Sequence, residues 1–257
     1  SLSNFIVRKA AVLGAGVMGA QIAAHLANAE VPVVLFDLPD REGDPNGIVR
    51  KAIDGLRKLE PSPLATKDRV GYIDAANYEQ HLDLLKDCDL IIEAIAERME
   101  WKDDLYRKIA PFIPAEAIIA SNTSGLSINR LSEGLPEALR TRFCGIHFFN
   151  PPRYMHLVEL IATRSTEPAL LDKLESWLVS RLGKGIVRAL DTPNFVANRV
   201  GVFSILAVMH HTRKVPPIAL PMSSGWIPWR MSSRLCRTRC RKTPGMDTTV
   251  CRPGSPR

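Results

Sequence analysis

The chain has 257 residues, 46% hydrophobic and 24% charged, which supplies a sizeable core and excludes a disordered chain. Its formal charge of +7 is unevenly held: residues 214–257 carry nine Lys or Arg against the single acid Asp247, and 1–213 nets −1. No apolar run reaches the roughly 18 residues of a membrane helix, and Ser1–Arg8 lacks a secretory apolar stretch. Five irregularly spaced cysteines form no disulfide framework, so a reducing cytoplasm is expected.

Lys9–Leu13 is a short apolar run that stops at Gly14 and predicts a buried strand. Val17–Asn28 predicts a helix with Val17, Met18, Ile22 and Leu26 on one side. Val31–Phe36 predicts a second strand, followed by Asp37. Near-continuous apolar strands of this kind suit a parallel sheet covered on both faces. Asn46–Leu59 predicts a helix that the Pro-rich Glu60–Pro63 breaks, and a more polar helical stretch follows. Leu90–Ile92 predicts the third strand, so the long connection from Asp37 must hold extra helices. Beyond it the pattern predicts helix over Trp101–Phe112 and strands over Ala117–Ala120, Phe143–His147 and Leu157–Ile161. Pro168–Leu182 predicts an amphipathic helix with Leu171, Leu174, Leu178 and Leu182 on a common face. Gly185–Ala189 predicts a short strand, and Phe195 to about His211 the start of a long apolar helix. No internal repeat is evident.

Gly14-Ala15-Gly16-Val17-Met18-Gly19 matches G-x-G-x-x-G between a strand and a helix, with a second strand ending in an acid. That context is what a dinucleotide-binding loop requires. Gly14 permits the tight turn, Gly16 leaves room for a pyrophosphate, and Gly19 lets helix and strand pack closely. The N–H groups at Val17 and Met18 open the helix, whose N-terminus favours anions. Asp37 lies 18 residues after Gly19, close to the roughly 20 expected of a ribose-binding acid. It would repel a 2′-phosphate, which favours NAD over NADP; Arg41 nearby is a mild counter-signal.

Three further motifs carry a family resemblance. Ser121-Asn122-Thr123-Ser124, His147-Phe148-Phe149-Asn150-Pro151 and Leu157-Val158-Glu159 resemble the 3-hydroxyacyl-CoA dehydrogenase family. Asp191-Thr192-Pro193 with Asn198-Arg199 extends the match, which covers about residues 5–213. Within the family the chain is most similar to bacterial proteins in which this unit precedes an enoyl-CoA hydratase unit, which is not found here. The resemblance implies an α/β fold: a Rossmann-type, doubly wound, mostly parallel sheet, then the start of an incomplete helical second domain. It implies an NAD-binding domain over 1–192, the first helix of a helical domain over 193–213, and an aberrant tail over 214–257.

The implied reaction is oxidation of L-3-hydroxyacyl-CoA to 3-oxoacyl-CoA with NAD in fatty-acid β-oxidation. Such a reaction needs a base for the hydroxyl proton. His147, at a predicted strand end, is the candidate, since an unperturbed imidazole, with a pKa of about 6.5, suits proton exchange near neutrality. A carboxylate would hold one tautomer of the imidazole, and Glu159 on the next strand is the candidate. The resemblance assigns these two as the catalytic pair. It also assigns Ser124 to the substrate oxygen near the nicotinamide, Asn198 to placing substrate and His147, and Asn150, Glu97 and Lys102 to the cofactor. The bland readings of those last three are a loop Asn, a helix-entry Glu and a solvated Lys. The family binds the CoA nucleotide in the connection that here holds Arg50, Lys51, Arg57, Lys58, Lys67 and Arg69; a solvated helix face is the alternative. Two other functions stay open: a dehydrogenase of another hydroxy acid, and an NAD-binding module without turnover.

His25, His81, His156, His210 and His211 have no metal spacing, so no metal is expected, and Cys88 and Cys144 read as small buried residues. The family's second domain makes a homodimer and closes over the site; this chain supplies its first helix and then departs. Residues 214–257 hold seven of the 19 prolines and three of the five cysteines. A basic nucleic-acid arm and a metal knuckle of Cys236, Cys240 and Cys251 lacking a fourth ligand are two readings of the tail. The abrupt compositional change inside a predicted helix favours a third, translation in a shifted frame, with no specific nucleic-acid partner.

Overall fold

A computed structural model describes residues 5–211, with side chains to 206. The readings of the tail after Arg213 therefore lie outside the described residues.

The chain alternates strand and helix from the start. β1 (Ala10–Leu13) leads through the glycine loop into α1 (Val17–Asn28), and β2 (Val33–Asp37) follows. α2 (Gly47–Leu56) and a 3₁₀ turn at Lys67–Tyr72 precede β3 (Ile73–Asn77). A second 3₁₀ turn, Leu82–Asp87, leads to β4 (Leu90–Glu93), then α3 (Met99–Ile109) and β5 (Ile118–Ser121). Two short helices, α4 (Ile128–Ser132) and α5 (Glu137–Arg140), come before β6 (Phe143–Phe148) and β7 (Leu157–Ala162). α6 (Pro168–Leu182), β8 (Gly185–Ala189) and α7 (Ala197–His211) complete the described chain.

The eight strands form one sheet in the order β3-β2-β1-β4-β5-β6-β7-β8. All pairs are parallel except β6 with β7. The connection between those two holds no helix, so the chain cannot cross over and turns back beside itself. Alternate strand residues enter different cores. Ala10, Val12, Leu35 and Ile92 pack with α1, α2 and α6, while Ala11, Leu13, Phe36 and Ile91 pack with α3 and α4. This is the doubly wound, mostly parallel sheet that the glycine loop and its flanking strands imply.

α6 begins with Pro168, which needs no N–H partner in the first turn, and ends at Gly183, whose φ of 64° a glycine adopts freely. Leu171, Leu174, Leu178 and Leu182 are all buried, as the helical spacing predicts. Each contributes roughly 1.5–3 kcal/mol by leaving water.

Two expectations fail. The connection from Asp37 to Asp89 holds a strand, β3, beside its helical turns, so Leu90–Glu93 is the fourth strand in chain order. Val17 does not join Ile22 and Leu26 in the core; it is 70% exposed at the mouth of the glycine loop.

Candidate active site

The sheet order reverses between β1 and β4, and such a switch point is where open α/β sheets bind ligands. Gly14 sits there with φ 106°, a conformation that L side chains rarely adopt, and its N–H donates to the Phe36 carbonyl at 2.8 Å. A Cβ on Gly19 would lie 1.8 Å from the Gly14 carbonyl oxygen, so this glycine sets how closely α1 meets the loop. A Cβ on Gly16 would meet nothing within 4 Å. Gly16 therefore faces open space at the N-terminus of α1, a cradle that a side chain would fill. Met18 is half-buried beside it.

Asp37 ends β2, and its Oδ2 accepts the Ala15 N–H at 2.7 Å. The acid thus ties the second strand to the loop. Beyond it lies a cleft of about 640 Å³ lined by Leu38, Asp40, Arg41, Ile48 and Gln80. Asn150 reaches α1 from the other side, where its Oδ1 accepts from Gln21 at 3.3 Å.

The histidine and the glutamate meet. His147 and Glu159 are register partners across β6 and β7, and His147 Nδ1 lies 2.8 Å from Glu159 Oε2. Both are buried. The other carboxylate oxygen, Oε1, accepts the backbone N–H groups of Val196 at 2.9 Å and Ala197 at 2.8 Å. Burial pushes the Glu159 carboxyl up, but the bonds from His147, Ala197 and Val196 together outweigh it and hold the group below the usual glutamate range. A carboxylate at Nδ1 leaves Nε2 as the nitrogen able to take a proton. Nε2 makes no hydrogen bond among the described residues. Phe149 and Phe195 flank the imidazole, with ring centroids at 4.4 and 5.7 Å.

Ser124 is exposed on the loop after β5. Glu97 holds that loop: its Oε1 accepts from the Thr123 hydroxyl, from Ser124 N at 3.0 Å and from Gly125 N at 3.2 Å. Asn198, in the first turn of α7, donates to the Ser124 carbonyl at 3.4 Å. Asn198 and Ser124 are therefore neighbours, while His147 shares no hydrogen bond with either among the described residues.

Lys102 is not the solvated lysine of the bland reading. It is fully buried, with Nζ 2.5 Å from Glu93 Oε1 and 3.7 Å from Glu97 Oε2. Glu93 also accepts from Ser121 Oγ at 2.6 Å, Tyr106 OH at 3.0 Å and Ile95 N at 2.7 Å. A buried carboxylate is tolerated only with such a full set of donors. Burial first, and the Glu93 charge next, hold the Tyr106 phenol well above its usual range. The sequence pointed to Lys102 but not to Glu93 as its partner, whose signal was an acid closing the apolar run Leu90-Ile91-Ile92.

Of the six basic residues of the connection, Arg50 pairs with Asp44 at 2.6 Å, Lys51 with Asp40 at 3.5 Å and Arg69 with Glu30 at 2.9 Å. Arg57, Lys58 and Lys67 are exposed. Cys88 and Cys144 are buried free thiols, which burial pushes up to about 12. No helix among the described residues is long and apolar enough to cross a membrane.

A doubly wound sheet, a glycine loop at its switch point and a His–Glu pair on neighbouring strands define a dinucleotide-binding dehydrogenase domain. Comparison with known proteins gives the family. Residues 9–192 match the model of the 3-hydroxyacyl-CoA dehydrogenase NAD binding domain, and the chain belongs to that family. Its cofactor is accordingly NAD. The chain is 43% identical over 236 residues to a "Probable 3-hydroxyacyl-CoA dehydrogenase" of Deinococcus radiodurans, with 90% of this chain and 68% of that protein covered. It is 47% identical over 205 residues to a Rickettsia prowazekii protein named as a "fatty acid oxidation complex trifunctional enzyme". That match covers 79% of this chain and 28% of the Rickettsia protein. Among solved structures, (S)-3-hydroxybutyryl-CoA dehydrogenase PaaH1 from Ralstonia eutropha superposes with a TM-score of 0.68 at 30% identity, covering 82% of this chain and 74% of that one.

Proposed function

We propose that this chain carries the reaction centre for oxidising L-3-hydroxyacyl-CoA to 3-oxoacyl-CoA in fatty-acid β-oxidation, with His147 as the base. The observation that carries the reading is the His147–Glu159 pair: a carboxylate 2.8 Å from Nδ1 and no competing partner at Nε2 among the described residues. Glu159 keeps the proton on Nδ1, so Nε2 can accept the proton of the substrate hydroxyl. The imidazolium that results is stabilised by a carboxylate already held in its charged form.

NAD, when bound, accepts the hydride from the carbon that bears that hydroxyl. The residues present fit it, because Gly16 leaves the helix N-terminus uncovered and Asp37 stands at the strand end where a ribose acid is needed. Asn150 and Glu97 are the further cofactor residues in this reading, and Lys102, fully buried against Glu93, serves the cofactor only through Glu97. Glu97 and Lys102 act chiefly by holding the loop that carries Ser124, and Ser124 offers the hydroxyl for the substrate oxygen. Asn198 secures that loop from α7. The acyl-CoA nucleotide would meet the exposed Arg57, Lys58 and Lys67. The buried free thiols are compatible with a reducing cytoplasm.

One observation favours a second reading, an NAD-binding module without turnover. α7 exposes an apolar face of Val200, Phe203 and Leu206 beside the site, so the described residues supply one wall of the substrate cleft. NADH titration beside a turnover assay with a 3-oxoacyl-CoA separates the two. In the first reading His147→Gln lowers turnover about 10²- to 10⁴-fold while NADH affinity stays within about twofold. Parental turnover in that variant excludes His147 as the base, and NADH binding with no turnover in the parent supports the second reading.

A further inference from the structure

Two consecutive non-glycine residues just before α7 have positive φ: Asn194 at 64° and Phe195 at 47°. Asparagine tolerates the left-handed region, whereas a bulky residue there is an outlier that persists only when its surroundings over-determine it. The surroundings do so here. The Phe195 ring is fully buried and lies 5.7 Å from the His147 ring, on the core side of the sheet that also receives α3 and α4. Its N–H closes a turn onto the Thr192 carbonyl at 2.9 Å. The next two N–H groups, of Val196 and Ala197, converge on Glu159 Oε1. Asp191 anchors the start of the same segment by accepting from Ile128 N, Asn129 N and the side chains of Ser127 and Asn129.

One short turn therefore does two things to the catalytic pair. It lays an aromatic ring against the imidazole, and it aims two donors at the carboxylate oxygen that His147 does not use. An ordinary right-handed or extended conformation at Asn194 would swing both away. We propose that Phe195 is a positioning residue for His147 and Glu159, presented by the left-handed pair Asn194–Phe195, so that the base is assembled only when the entry to α7 is docked. This deepens the reading of His147 as base and rests on it.

The test is the His147 titration, followed by NMR in the full chain with ¹³C-labelled histidine, together with kcat and KM. Asn194→Gly keeps the left-handed turn, since glycine adopts it freely, and leaves the titration and turnover within about twofold of the parent. Asn194→Val disfavours positive φ strongly. It moves the His147 midpoint by about half a pH unit or more and lowers kcat about tenfold, with KM and NADH affinity within about twofold. Should the valine variant fail to fold, Phe195→Leu, which keeps an apolar side chain, moves the titration likewise. A parental His147 midpoint in Asn194→Val or Phe195→Leu overturns the proposal, as does equal disturbance by Asn194→Gly. The NMR readout needs no turnover, so its failure is distinct from parental activity in His147→Gln, which strikes the assignment of the base alone.

Discussion

Gly16 and Gly19 share a motif, and the structure separates their roles, so two alanine variants should behave oppositely. At Gly16 the backbone has φ −69°, which any L residue adopts, and a new Cβ meets nothing within 4 Å. Restricting the unfolded chain gains about 0.4–1 kcal/mol. Replacing glycine at a helix N-cap with alanine costs about the same, so the net change is within about 1 kcal/mol. The cost falls on the ligand, whose phosphates must approach where the methyl now stands. Losing about 1.4 kcal/mol or more of that binding weakens NADH at least tenfold. At Gly19 a Cβ would stand 1.8 Å from the Gly14 carbonyl oxygen, a backbone atom that cannot step aside without moving the loop. Overpacking of this kind costs about 1–3 kcal/mol or more. Alanine's better helix propensity returns at most about 1 kcal/mol. A net loss of about 2 kcal/mol lowers Tm by roughly 4–8 °C in a domain of this size. Thermal unfolding followed by circular dichroism, with NADH titration by fluorescence, measures both. Parental NADH affinity in Gly16→Ala, or parental Tm in Gly19→Ala, would refute the division of labour.

Three further outcomes follow from other parts of the molecule. Burial, and then the nearby Lys184, push His25 down to about 4, against a smaller upward pull from the Leu182 backbone, and neither ring nitrogen has a partner within hydrogen-bond distance among the described residues. Its folded pKa is below the unfolded value of about 6.5, so the unfolded chain binds more protons between the two and stability falls as pH drops from 6.5 through 4. Urea midpoints of His25→Leu should fall less steeply than the parent's over that window; an equal slope counts against the assignment. NADH should bind more tightly than NADPH because Asp37 stands at the end of β2, and equal affinities would remove Asp37 from the ribose. Asp191→Ala strips four donors of their acceptor and should cost about 2–3 kcal/mol in urea unfolding, against under about 0.5 kcal/mol if those bonds contribute nothing.

What the sequence made legible is what glycine, proline and periodicity mark. α6 runs over the predicted Pro168–Leu182 because its two ends carry a proline and a left-handed glycine. The glycine loop was readable because each glycine answers a separate steric demand. β3 was not, since Ile73-Asp74-Ala75-Ala76-Asn77 offers two strand-averse polar residues and no β-branched run beyond Ile73; it pairs only because β2 has a free edge. His147 and Glu159 were found through neighbouring motifs. Their contact arises from pairing across the sheet, which no local pattern displays. The Glu93–Lys102 cluster escaped for a related reason: a charged pair nine residues apart looks solvated until strand and helix close over it. Phe195 reads in sequence as the start of a helix that in the structure begins at Ala197, because a positive φ leaves no trace in residue type at phenylalanine.

The antiparallel pairing of β6 with β7 also governs what kinds of change the His147–Glu159 contact can survive. Facing side chains in a sheet alternate with a period of two, so parity decides whether imidazole and carboxylate share a side. Insertions confined to residues 149–156, between the strands, leave that parity intact. A single-residue deletion within residues 143–146, with the start of the strand held in register, turns the imidazole to the opposite layer, toward α6, while Glu159 stays where it is. The hairpin thus behaves as a discrete two-position setting: generous to drift in loop length, and all-or-none toward any slip along the strands themselves.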